Sequence, residues 1–115
     1  MISLPATVRI FVAVVPIDFR NGFDGLAALV RDSLGQNPFD GSLYLFAGMG
    51  GRRLKILYWD RDGLAVWMKR LEQGTFRWPS PEAQQVEWST AELAAVLGGI
   101  DLKGSRRRPR FSLEK

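Results

Sequence analysis

Two short apolar runs joined by a glycine-rich link constrain this chain more than any other feature. Leu43-Tyr44-Leu45-Phe46-Ala47 is uninterrupted by a polar residue, and Leu54-Lys55-Ile56-Leu57-Tyr58-Trp59 is broken only by Lys55. Each is too short for a buried helix and rich in strand formers, so each reads as a strand with at least one covered face. Between them lies Gly48-Met49-Gly50-Gly51-Arg52-Arg53, a link of hairpin length. The two strands are therefore expected to be antiparallel neighbours in a sheet.

The rest of the chain supplies the layers such a sheet needs. Residues 8–15 are apolar and rich in β-branched residues, with Arg9 interrupting, and Pro16 ends them as a strand. Asp18, Asn21 and Gly22 mark a turn. Phe23, Leu26, Ala27, Val30 and Leu34 then fall on one helical face, stopped by Gly35 and Pro38. Residues 60–63 read as a turn with Asp62 as an N-cap. The spacing of Leu64, Trp67, Met68 and Leu71 predicts a second helix, with Lys69 and Arg70 in its last turn, where the dipole favours cations. Residues 75–78 and 85–88 read as short strands. Ser89-Thr90-Ala91-Glu92 is a capping box, with Trp88 and Leu93 placed for a hydrophobic staple. It opens a third helix that buries Leu93, Val96 and Leu97 and ends at Gly98-Gly99. The expected fold class is α+β: a single domain with a small, largely antiparallel sheet, about three helices and a basic C-terminal tail.

Composition narrows the chemistry. At 115 residues the chain suits one domain, and 46% apolar residues can fill a core that 24% charged residues cover. There is no cysteine and no histidine. Disulfides are excluded, nucleophile–histidine catalysis is excluded, and a zinc site would need carboxylates alone. Met1-Ile2-Ser3-Leu4-Pro5 lacks the basic start of a signal peptide. The longest apolar run is far shorter than the roughly 20 residues that cross a bilayer. A cytoplasmic protein is expected, with no membrane association and no small-molecule substrate. The net charge of +4 is concentrated at one end. Residues 103–115 hold six basic residues against one acid, a net +5, which leaves residues 1–102 with 10 basic and 11 acidic residues, a net −1. Such a tail suits nucleic-acid phosphates, although a solvated solubilising end has the same composition.

Four local strings, in order, resemble one family. Asp18-Phe19-Arg20-Asn21-Gly22-Phe23-Asp24-Gly25-Leu26 resembles the Asp-x-Arg-x-Gly-Phe-Asp-Gly-Leu segment of the accessory proteins of insertion-sequence-66-type elements, the transposition protein B of the second reading frame. Lys55-Ile56-Leu57-Tyr58-Trp59-Asp60 with Gly63, and Arg70-Leu71-Glu72-Gln73-Gly74-Thr75-Phe76-Arg77-Trp78-Pro79, are similar to the next two blocks. Leu93, Leu97, Gly99, Ile100 and Asp101 fit the closing helix and its exit. The matches run from about Leu4 to Asp101. The resemblance implies an accessory domain over residues 1–102, followed by the tail. It implies a role beside an element-encoded transposase or another accessory protein, without catalysis and without a cofactor. Many relatives carry Asn-Arg where this chain has Gly48-Met49, and a basic residue where it has Asn21; both differences remove positive charge.

The candidate site residues follow from charge and pattern. For DNA phosphates they are Lys103, Arg106, Arg107, Arg108 and Arg110 in the tail, with Arg52, Arg53 and Lys55 at the glycine-rich link. That link lacks the P-loop pattern, and an ordinary hairpin with solvated arginines fits it equally. Asp18 and Arg20 are candidates for a partner surface or for fixing a strand-to-helix turn. Asp18, Asp24, Asp60 and Asp62 raise the possibility of a carboxylate-dependent hydrolase, but turn, cap and helix-start roles account for them more simply. Trp59, Trp67, Trp78 and Trp88 suit base stacking or core packing, and packing is the commoner use. The alternative to an accessory factor is a stand-alone nucleic-acid-binding module with no transposase partner.

Overall fold

The uninterrupted run at residues 43–47 sits at the middle of the sheet. A computed structural model describes residues 7–80, 82–83 and 86–98. Its strands are β1 (Ile10–Val12), β2 (Leu43–Ala47), β3 (Arg53–Asp60), β4 (Gly63–Arg70) and β5 (Val86–Trp88). They form one sheet in the order β4-β3-β2-β1-β5. β1 pairs with β2 in parallel; the other three pairings are antiparallel. Every residue of β2 is buried, because both faces of the sheet are covered there, and a strand covered on both sides needs no polar alternation.

Two helices supply the cover. α1 (Phe23–Asp32) is the crossover between the parallel strands β1 and β2. Its Leu26, Ala27 and Val30 pack with Phe11, Tyr44, Phe46 and Leu57 on one face of the sheet. The chain leaves α1 through Gly35 at φ 65°, and the Gln36 N–H returns to Val30 O at 3.0 Å, a C-terminal closure that favours glycine. α2 (Thr90–Leu97) covers the other face. Its Leu93, Val96 and Leu97 pack with Ile10, Val12, Leu45, Leu54 and Ile56. The Ser89–Glu92 capping box is formed reciprocally, and Trp88 and Leu93 join the same apolar cluster.

The sheet is mostly antiparallel, as expected, but the described residues contain two helices rather than about three. The expected helix at residues 64–71 is strand β4. Leu64, Val66 and Met68 alternate with Ala65, Trp67 and Lys69, so a period of two fits this stretch as well as the helical stripe does. The turn before it decides. Asp62 N–H reaches Asp60 O at 2.6 Å across Arg61, whose φ is 59°, a three-residue γ-turn. This reversal lays residues 63–70 against β3 from Asp60↔Gly63 to Arg53↔Arg70. Asp62 thus belongs to a hairpin and caps no helix. Lys69 does serve a helix C-terminus, but that of α2: its Nζ donates to Leu97 O at 3.1 Å.

Residues 75–78 form no strand. They cross the α2 face as irregular backbone, anchored where the Phe76 N–H meets Gly51 O at 2.8 Å and where Trp78 Nε1 donates to Ala13 O at 2.8 Å. Phe76 is buried in the core there. Of the expected strand at 85–88, Val86–Trp88 is β5; Gln85 lies outside the described residues, as do the exit Gly99-Ile100-Asp101 and the whole tail.

Candidate functional site

The hairpin between β2 and β3 and the turn between β1 and α1 meet at Phe19. Gly48 lies against the Phe19 ring so closely that an added Cβ would stand 2.9 Å from Phe19 Cδ1. On the same ring stand Arg53, with Cζ 4.7 Å from the centroid, and Lys55, with Nζ at 4.4 Å. Lys55 also donates to Phe19 O and Asn21 O, each at 2.8 Å. Its ammonium is committed to closing the turn onto β3, and of the three cations expected near this hairpin it is the one held inside the fold.

Asp18 and Arg20 form the turn itself. Asp18 accepts from the Arg20 backbone N–H at 2.9 Å and from its guanidinium at 2.6–3.1 Å. Asn21 returns both its N–H and its side-chain amide to Asp18 O. The Arg20 guanidinium, and then its backbone N–H, hold the Asp18 carboxyl down at about 2. The Arg20 side chain is 91% exposed, so the pair shapes the turn and faces solvent together. Beside it, residues 13–17, Leu29 of α1, Leu34 just beyond the helix, and Glu82-Ala83 line a largely apolar groove of about 600 Å³, which Asp18 and Asn21 also border.

Arg52 and Arg53 border a second, shallower recess of about 490 Å³, which Met49, Arg70, Leu71 and Glu72 complete. Arg53 and Arg70 are directly opposite across the β3–β4 ladder. Like charges so placed repel, and the site offsets them in part. Arg70 pairs with Glu72 at 2.9 Å, and Arg52 Nη2 donates to Glu72 O at 2.6 Å. Three guanidiniums with one carboxylate leave this corner positive on a body whose net charge is close to zero. Arg70 was not among the residues expected from sequence, because a helix at 64–71 would have carried it elsewhere; strand alternation places it beside Arg53. Lys103, Arg106, Arg107, Arg108 and Arg110 lie outside the described residues.

The carboxylates are dispersed. Asp60 and Asp62 flank the β3–β4 turn, Asp24 opens α1, and Asp18 is held by Arg20. Among the described residues no three acidic side chains gather where they could hold a metal ion. The tryptophans pack: Trp78 and Trp88 meet edge to face at 5.7 Å, Trp59 does so with Phe39 at 5.6 Å, and Trp67 lies against the α2-side core. No helix among the described residues is long and apolar enough to cross a membrane.

The model of the IS66 Orf2-like protein family matches residues 8–107, which takes in the Asp18–Arg20 turn, both hairpins and α2. The chain belongs to the IS66 Orf2-like family. It is similar to the uncharacterized protein y4hO of Sinorhizobium fredii (strain NBRC 101917 / NGR234), with 40% identity over 101 residues covering 88% of each chain. It is also similar to the uncharacterized protein y4jC of the same strain, with 35% identity over 109 residues covering 95% of this chain and 93% of that one. No solved structure matches. Family membership supports a transposition-associated accessory role, and the match extends past residue 98 into the first basic residues of the tail.

Proposed function

We propose that this chain is a non-enzymatic accessory factor for transposition of an insertion-sequence-66-type element, working in the cytoplasm beside the element's transposase. The observation that carries this reading is the family match across residues 8–107. The body supplies a partner surface in which Asp18 and Arg20 present a rigid, charged turn beside an apolar groove. DNA phosphates are contacted by Arg52 and Arg53 at the positive recess and by Lys103, Arg106, Arg107, Arg108 and Arg110 in the tail. Such contacts position a protein on DNA and carry no sequence information by themselves. Lys55 drops out of the phosphate-binding set, since its ammonium already donates to two carbonyls.

Transposition of a marked element tests the role. Deleting the reading frame should depress transposition, and the full chain supplied in trans should restore it. The Asp18→Ala, Arg20→Ala double variant should fold, by circular dichroism, yet fail to restore it. Undiminished transposition without the reading frame would sink the proposal.

A further inference from the structure

The outer edge of β4 pairs with no strand among the described residues. It is eight residues long, contains no proline, and runs in unbroken register with β3, so it lacks the proline, bulge or shortness that usually blunts an edge. The Leu71 N–H donates inward to Arg52 O. By the alternation of an antiparallel ladder, Gly63, Ala65, Trp67 and Lys69 also turn their backbone groups toward β3. Leu64, Val66, Met68 and Arg70 turn theirs outward. No residue of β4 is fully buried, and Met68 is 60% exposed.

The two ends of this edge carry opposite charge. Asp60 and Asp62 flank Arg61 at the turn where β4 begins, a net −1, and Lys69 and Arg70 stand with Glu72 where it ends, a net +1. Antiparallel pairing of two copies about a twofold axis would run the acidic end of each strand along the basic end of the other. Continuity of the sheet faces allows two central registers. With Trp67 on the axis, Asp62 would oppose the partner's Glu72, and Leu64 would oppose the partner's Arg70. With Val66 on the axis, Leu64 meets the partner's Met68, and Asp62 meets the partner's Arg70, each pairing occurring twice. Arg70 binds Glu72 through Nε and Nη2, which leaves Nη1 for the new carboxylate. Charge and apolar matching both select the second register.

We propose that the chain forms a twofold dimer through β4, with Val66 on the axis, joining two five-stranded sheets into one.

Sedimentation equilibrium of the full chain should give twice 12.9 kDa at high concentration, falling toward 12.9 kDa on dilution. Asp62→Arg and Arg70→Asp should each abolish the dimer. An equimolar mixture of the two should restore it, since each cross-pairing regains both opposite-charge pairs. Val66→Pro should leave a folded monomer, because the Val66 N–H points outward and every internal ladder bond is kept. A chain that stays at 12.9 kDa throughout the micromolar range, single charge variants that still dimerise, or a mixture that stays monomeric would overturn the proposal.

Discussion

Asp18 keeps its charge well below the usual carboxylate range because Arg20 reaches back to it from two residues along the chain, and a backbone N–H joins the guanidinium. The folded carboxyl titrates at about 2, against an ordinary value of 3.8. A carboxyl depressed in this way favours the folded turn above pH 3.8, and that contribution disappears as pH falls through about 2. Carboxyl-carbon NMR should place the Asp18 midpoint near 2, moving toward 3.8 in Arg20→Ala. An unshifted midpoint in the parent chain would show that the pair does not form in solution. Tyr44 makes a second residue-scale case. Its ring is buried against Phe11, while its hydroxyl reaches Asn37 O at 2.9 Å and the Asp40 carboxylate at 3.0 Å. Burial, followed by the Asp40 hydrogen bond, pushes the phenol pKa up. Tyr44→Phe should lower unfolding free energy by about 1–3 kcal/mol in denaturant titrations, the range for bonds to charged or buried partners. No change at all would mean that water takes the hydroxyl's place at its acceptors.

At the scale of elements, the hairpin between β2 and β3 is fixed by close packing as much as by turn chemistry. Gly48→Ala would drive a methyl group into the Phe19 ring. It should destabilise the fold by about 1–3 kcal/mol, the usual cost of overpacking a tight site, with calorimetry as the check. Ser89→Ala should cost about 1 kcal/mol by removing the capping box at α2. The legibility of the elements follows the same physics. β2 is readable in the sequence because an unbroken apolar run of that length suits a strand buried on both faces, and β3 because a second short apolar run follows it across a glycine-rich link. The capping box is readable because it is a local hydrogen-bond pattern complete within four residues. β4 is not, because its apolar residues satisfy a helical and a strand period together, and a γ-turn at its start settles the matter. In the site, the Asp18–Arg20 turn is legible as a motif. The role of Lys55 is not, since its two carbonyl partners lie 34 and 36 residues away in sequence. Arg70 escapes notice for the same reason as β4.

On the scale of the whole molecule, positive charge is concentrated at one end of the sequence. The body encloses two apolar layers on either side of one sheet and carries a net −1, while the tail carries +5. On the proposed function, the positive corner at Arg52, Arg53 and Arg70 is the body's own contribution to DNA binding. Attraction of this kind releases counterions from DNA and weakens steeply with salt. On the proposed function, the chain assists transposition while holding DNA by its phosphates, mainly through the tail. The decisive experiment is fluorescence anisotropy of labelled element-end DNA across a series of salt concentrations. It compares the full chain with a variant in which Arg106, Arg107, Arg108 and Arg110 are all changed to Gln. The parent chain should bind, with an affinity that falls steeply as salt rises. The variant should bind more weakly, with a log–log salt slope shallower by about 3 to 4, close to one for each phosphate left unneutralised. Equal binding by both chains, or binding by neither, would refute the proposed mode of DNA contact.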